Sequence, residues 1–180
     1  RWACDAIADH QLRTRQLRDG LAAFGVGLER KLRRFNHHDT HAANAYHASG
    51  FDQALLITLD GYGSGNCGGV YVGKREGIKC LHRFPFPNSL GQYYENVTSG
   101  LGFKPSRHEG KIVGLAAYGN PDALRQILLD RFECEQGDIR IRASMNYLFT
   151  RALAQHFAKR DVAAAYQRVL EEVTQRMVQY

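Results

Sequence analysis

The run Ala54-Leu55-Leu56-Ile57-Thr58-Leu59 limits what this chain can fold into more than any other stretch. It is a continuous apolar run, the pattern of a strand buried on both faces. Asp60 closes that strand, and Gly61, Gly63 and Gly65 allow a tight turn whose backbone N–H groups can surround phosphate oxygens. Gly69-Val70-Tyr71-Val72-Gly73 reads as a second strand. A turn at Arg75-Glu76-Gly77 leads into a third, from Ile78 to Phe84. The expectation is a three-stranded meander whose first turn carries an acid and glycines.

Just upstream stands His37-His38-Asp39-Thr40-His41, in a segment read as helical from His38 to Ser49. His37 and His41 are four apart, so both imidazoles project from one face and can bind one metal ion. Asp60 offers an oxygen ligand to the same ion, and three protein ligands with open positions suit a metal that polarises a phosphate or carbonyl oxygen. His38 lies one step off the shared face and is expected to orient a neighbour or the substrate; with Asp60 it is the catalytic candidate. The competing reading is a pair of surface or capping histidines beside an ordinary hairpin turn. Farther along, Glu109 and Lys111 are candidates for contact with a nucleotide. Gly110 and Gly114 would permit close backbone approach there, and a lysine can neutralise phosphate. The alternative for this pair is solvated charge at a helix start.

The rest of the chain supplies helices and one further hairpin. Ile7, Leu12, Leu17, Leu21 and Phe24 are spaced for a helix over residues 6–24, ended by Gly25 and Gly27. Residues 32–36 read as a short strand. Ser89 caps a helix running through Leu101, and Asn120-Pro121-Asp122 opens another through Leu129. Residues 132–142 form a hairpin around Gln136-Gly137-Asp138, and two helices follow from Ser144, parting near Arg160-Asp161. In the last helix Val162, Tyr166, Val169, Leu170, Val173 and Met177 form a core stripe. The fold class is therefore mixed α/β, with no internal repeat and no linker marking a second domain.

Charge and cysteine narrow the setting. A formal net charge of +6 rests largely on Arg13, Arg15 and Arg18 and on Arg30, Lys31, Arg33 and Arg34. No aromatic residues interleave with them as stacking platforms, so solvated faces are favoured over a nucleic-acid surface. No apolar run approaches the roughly 20 residues that cross a bilayer. Cys4, Cys67, Cys80 and Cys134 are scattered, as reduced thiols of a cytoplasmic protein would be. The chain begins with Arg rather than Met and reads as a piece of something longer.

Four ordered blocks resemble a known family. They are His37-His38-Asp39-Thr40-His41-Ala42-Ala43, Thr58-Leu59-Asp60-Gly61-Tyr62-Gly63, Ser89-Leu90-Gly91-Gln92-Tyr93-Tyr94, and the segment from Glu109-Gly110-Lys111 to Ala117-Tyr118-Gly119. Together they are similar to the O-carbamoyltransferases of antibiotic and nodulation-factor biosynthesis. The resemblance implies part of an actin-like, Hsp70-like and sugar-kinase-like (ribonuclease H-like) fold, related to the domain that transfers threonylcarbamoyl groups to tRNA. It implies carbamoyl phosphate and ATP as substrates, a carbamoyl adenylate intermediate, and a hydroxylated small-molecule acceptor. It also implies iron, with His37, His41 and Asp60 matching metal ligands and Gly61 and Gly63 matching the turn near the nucleotide phosphates. By the same resemblance, the early strands, the second lobe and the adenylate-forming domain lie outside residues 1–180, and this segment alone should not turn over. A metal-dependent ATPase or kinase of the same fold, and a non-catalytic nucleotide- or metal-binding module, remain the alternatives. The acceptor and the oligomeric state are not legible in these residues.

Overall fold

The computed structural model describes residues 2–25 and 33–179. They fall into two compact units, Arg1–Phe35 and Asn36–Tyr180. The first is built on helix α1 (Trp2–Ala22), which ends in a turn closed by the left-handed Gly25 at φ +67°. Arg30 and Lys31 of the second basic cluster lie outside the described residues, as does the start of the strand expected over 32–36. Residues 33–36 are irregular. Asn36 is needed there as a cap, its side chain accepting the His38 N–H at 3.0 Å, and a capping residue leaves no strand to extend.

The second unit follows the expected order. Helix α2 (His37–Ser49) leads to strands β1 (Gln53–Gly63), β2 (Asn66–Lys74) and β3 (Gly77–Pro85), an antiparallel sheet in the order β1-β2-β3. Helices α3 (Leu90–Gly100), α4 (Glu109–Ala116) and α5 (Asp122–Leu129) come next. The hairpin β4 (Phe132–Glu135) and β5 (Asp138–Ile141) precedes α6 (Tyr147–His156) and α7 (Lys159–Val178). The architecture is mixed α/β. No helix among the described residues is long and apolar enough to cross a membrane.

One boundary differs from expectation, and it matters. Asp60 to Gly63 are strand, and the turn lies at Ser64-Gly65. Pairing runs regularly to Leu59↔Gly68 and resumes at Gly63↔Asn66, so Asp60, Gly61 and Tyr62 stand opposite Cys67 alone. A bulge of this kind bends a strand and re-aims its side chains. A phosphate-cradling turn at Gly61 and Gly63 is thus replaced by a distorted stretch of β1.

Two apolar layers flank the sheet. On one face α2 buries Ala42 and Tyr46 against Leu56 and Tyr71, and Gly73 leaves room for the Tyr46 ring, which would lie 2.5 Å from a Cβ there. On the other face Ile57, Val70 and Phe84 join a larger core with α3, α5 and α7. Its centre is Tyr93 stacked on Tyr166 at 4.7 Å between centroids, a pair worth about 0.5–1.5 kcal/mol beyond burial. The predicted α7 stripe is confirmed: Val162, Tyr166, Val169, Val173 and Met177 are all buried, with Leu170 packed at the core margin.

Helix α7 is also clamped to α5 by Arg125, whose Nε and Nη2 each donate to Glu172 at 2.6 Å. The Arg125 hydrogen bonds outweigh desolvation and hold the Glu172 carboxyl below its ordinary value. A carboxylate depressed on folding contributes stability above its unfolded value, near 4.3, that is lost as pH falls through the folded value. The stability difference between the native chain and Glu172→Gln should therefore be largest near neutrality and shrink as pH falls through the depressed value of Glu172. Urea unfolding at pH 7 and pH 3 checks this; an equal difference at both would contradict it.

Candidate functional site

Strand parity and helix periodicity bring the predicted residues together. Side chains alternate across β1, so Asp60 shares the α2 face with the buried Leu56 and Thr58. On α2, His38, Ala42 and Tyr46 are the buried stripe. The stripe beside it carries His37 and His41, which lie over Asp60 at the rim. Asp39 holds the opposite rim, accepting from Arg83 Nη2 at 2.8 Å and from the Tyr71 hydroxyl at 3.2 Å. Those contacts tie the helix to β2 and β3 and fix its rotation about its own axis.

Three ligand atoms converge. His37 Nε2 lies 2.6 Å from Asp60 Oδ2 and 3.0 Å from His41 Nε2, and His41 Nε2 lies 3.4 Å from Asp60 Oδ2. Ligands about 2.1 Å from one ion stand about 3.0–3.4 Å apart in octahedral or tetrahedral arrangement. Both His41 distances fall in that range. The 2.6 Å His37–Asp60 pair is at hydrogen-bond distance and must widen by about 0.4 Å to share a cation. Two imidazoles and a carboxylate with open positions are the donor set of non-haem iron sites. Two neutral imidazole lone pairs and a carboxylate oxygen repel one another at such distances, so the arrangement calls for a proton or a cation between them. Burial pushes the Asp60 carboxyl up, but hydrogen bonds from His37, the Gly61 N–H and His41 outweigh it and leave it below the ordinary carboxylate range. It is anionic at neutral pH and ready to act as a ligand.

The glycines have packing roles that spacing could not show. A Cβ on Gly63 would lie 2.1–2.7 Å from the His37 ring and its Cβ, so glycine is what lets the imidazole sit on β1. The His37 N–H is held by Ser64 Oγ at 3.1 Å. Gly91 meets backbone instead of a side chain: its Cβ would lie 2.4 Å from Asp60 C and Gly61 N. Ser89, fully buried, accepts the Gln92 N–H at 3.0 Å as the expected cap and also donates to the Asp60 carbonyl at 2.8 Å. The first turn of α3 thus braces the distorted part of β1. The cap was legible as a Ser before a helix; its second bond, which depends on a residue 29 positions away, was not.

The remaining candidates fall elsewhere. His38 is fully buried, its Nδ1 at a long 3.5 Å from Thr58 Oγ1 and its Nε2 without a partner; it packs edge-on to the His37 ring at 5.1 Å. Glu109 and Lys111 lie in the first turn of α4 and are not among the three converging ligands. Glu109 Oε1 accepts the Ser106 N–H at 2.6 Å, and Lys111 Nζ is 3.5 Å from His108 Nε2. Their link to β1 runs through Ser106 Oγ, which donates to Glu95 at 3.0 Å; Glu95 in turn faces Gly61, 3.9 Å from a Cβ built there. Glu95 had no signal in the sequence, being one acid on an ordinary helix. Gly110 and Gly114 have no protein atom within 4 Å of a built Cβ, so neither is a glycine for the sake of protein packing among the described residues.

Comparison with known proteins relates the chain to carbamoyltransferases. The profile of the carbamoyltransferase N-terminus family matches residues 14–179. The chain is 35% identical over 147 residues to the nodulation protein NolO of Bradyrhizobium diazoefficiens, covering 77% of this chain and 27% of that protein. It is 31% identical over 166 residues to the nodulation protein NolNO of Sinorhizobium fredii, covering 86% and 24%. An uncharacterised protein of Synechocystis is 34% identical over 111 residues, 62% of this chain and 18% of that one. The chain spans about a quarter of the length of the two nodulation proteins.

Proposed function

The chain belongs to the carbamoyltransferase N-terminus family, and on that premise we propose that it contributes the metal-holding part of an ATP-dependent O-carbamoyltransferase. The observation that carries the reading is the convergence of His37 Nε2, His41 Nε2 and Asp60 Oδ2. The donor is carbamoyl adenylate, made from carbamoyl phosphate and ATP, and the acceptor is a hydroxyl of a small molecule. The acceptor oxygen bonds to the carbamoyl carbon, the bond from that carbon to the adenylate phosphate oxygen breaks, and AMP leaves as the hydroxyl proton is released. The setting is cytoplasmic, and the sheet with its flanking helices is one part of an actin-like fold.

A divalent ion at this site, iron by family resemblance, supplies Lewis acidity toward a carbonyl or phosphoryl oxygen. The chain's own residues hold and orient. His37, His41 and Asp60 are the ligands; His38, buried beside His37, is a positioning residue that keeps α2 seated on β1. Ser89 and Gly91 fix the backbone from which Asp60 projects. Gly61 leaves the strand open toward Glu95 and the 104–111 segment, where Lys111 can neutralise an anionic substrate and Glu109 can accept from a nucleotide's hydroxyl or amino groups.

Titrating the 180-residue chain with Co2+, whose ligand-field spectrum reports imidazole and carboxylate ligation, tests the site without turnover. One ion per chain is expected, with binding weakened at least about a hundredfold in His37→Ala and in Asp60→Asn. Co2+ binding that is indifferent to both substitutions would remove the metal from the proposal.

A further inference from the structure

We propose that a cavity on one face of α1 is a binding site for an oligophosphate, either a free inorganic one or the phosphate tail of a nucleotide. The inference stands apart from the metal ligands and from the carbamoyl-transfer reading. It starts from the two basic clusters of the sequence, which the proposed function leaves unused. The structure gathers part of both. Gln11, Thr14, Arg15 and Arg18 follow the i, i+3, i+4, i+7 spacing of one helical face, and with Arg34 they line a cavity of about 310 Å3. All five belong to the first compact unit.

Arg34 is brought there by the fold and not by helical spacing. It lies 20 residues beyond Thr14, whose Oγ1 accepts a hydrogen bond from Arg34 Nη2 at 3.2 Å. That bond adds a third guanidinium to a face that already holds two. Among the described residues neither Arg15 nor Arg18 has a hydrogen bond or ion pair, and Arg34 has no carboxylate partner. Asp19 stands one turn beyond Arg15, but an acid on the C-terminal side of its base is the poorer i,i+4 arrangement. No acid lines the cavity. Like charges left uncompensated in one place raise the local potential and draw an anion of matching charge.

The donors select the ligand class. Guanidinium forks grip phosphate oxygens through paired N–H bonds, and Gln11 adds carboxamide N–H donors. A phosphate monoester carries a charge of about −1.5 to −2, short of the charge on the three guanidinium groups, whereas two or more linked phosphates match it. A single carboxylate falls further short. A nucleic acid brings bases as well as phosphates, and the cavity has no aromatic side chain on which to stack them.

The test uses the 180-residue chain without metal, titrated by calorimetry with pyrophosphate, tripolyphosphate and ATP. Inorganic phosphate and an oligothymidylate strand are the counterparts. One oligophosphate per chain is expected, bound at least about tenfold more tightly than inorganic phosphate and weakened by added salt. Equal affinity for ATP and tripolyphosphate would assign the site to the phosphates alone, and tighter binding of ATP would assign it to a nucleotide. Arg15→Gln/Arg18→Gln should lose at least about tenfold and Arg34→Gln at least about threefold. Arg15→Lys/Arg18→Lys, which keeps the charge and removes the forks, should also weaken binding. Arg33→Gln, at an exposed residue outside the lining, removes the same charge and should change affinity by less than about twofold. Asp60→Asn should leave oligophosphate binding unchanged, separating the site from the metal ligands. Circular dichroism checks that each variant keeps its helix content; if the double variant loses it, Arg34→Gln, outside α1, decides. No saturable binding, undiminished affinity in the α1 double variant and Arg34→Gln, or an equal loss in Arg33→Gln would overturn the site. Tighter binding per phosphate of oligothymidylate than of tripolyphosphate would overturn it in favour of a nucleic-acid surface.

Discussion

His41→Ala in the full-length polypeptide is expected to abolish carbamoyl transfer, by more than about a hundredfold, while pyrophosphate release from adenylate formation continues. The substitution removes one of three converging ligands, His41 Nε2, which lies 3.0 Å from His37 Nε2 and 3.4 Å from Asp60 Oδ2. The side chain is half exposed at the rim of α2, so its loss leaves the buried stripe of His38, Ala42 and Tyr46 and the fold intact. Following pyrophosphate release and acceptor carbamoylation separately distinguishes the alternatives. Loss of both signals together would favour a single-site ATPase or kinase. Retention of both would reduce the histidine pair to a structural feature.

The second large effect is expected at a residue that is not itself a ligand. A Cβ on Gly91 would lie 2.4–2.6 Å from Asp60 C, Asp60 O and Gly61 N, which are backbone atoms that cannot rotate aside. Alanine gains up to about 1 kcal/mol of helix propensity over glycine, but overpacking costs about 1–3 kcal/mol, so strain wins. Gly91→Ala should lose about 1–2 kcal/mol and lower Tm by about 2–8 °C. The larger consequence is displacement of Asp60, with Co2+ affinity falling more than about tenfold. Gly110→Ala is the control: also helical, with nothing within 4 Å of its Cβ, it should be neutral or stabilising and bind Co2+ normally. Gly91→Ala binding Co2+ as tightly as the native chain would refute the bracing role of α3. Ser89→Ala should fall between them, losing about 1 kcal/mol of cap stability and the hydrogen bond to the Asp60 carbonyl.

The elements legible in the sequence were those whose signals are local. The apolar run 54–59 is strand, Ser89 is a helix cap, Gln136-Gly137 closes a hairpin, and the spacing of Val162, Tyr166, Val169 and Val173 is a buried stripe. The strand expected over 32–36 is not formed at its described residues 33–36 because so short a piece carries no period to separate strand from connector, and Asn36 was claimed by the next helix. The turn at Asp60 failed for a related reason. Aspartate and glycine favour turns in isolation, yet here cross-strand pairing resumes at Gly63↔Asn66 and α3 braces the stretch between.

Residue types and intervals in the chain alone therefore determined the helices, the meander and the candidacy of His37, His41 and Asp60, because the periods of helix and strand are properties of the backbone. Tertiary structure decided what those residues could do. It set the rotation of α2 through Asp39 and Arg83. It assigned Gly63 to the space beneath His37 and Gly91 to the space behind Asp60, and it left Glu109 and Lys111 beside Ser106 and His108 rather than at the converging ligands. These outcomes depend on contacts between residues tens of positions apart, and such distances are fixed only when the layers pack.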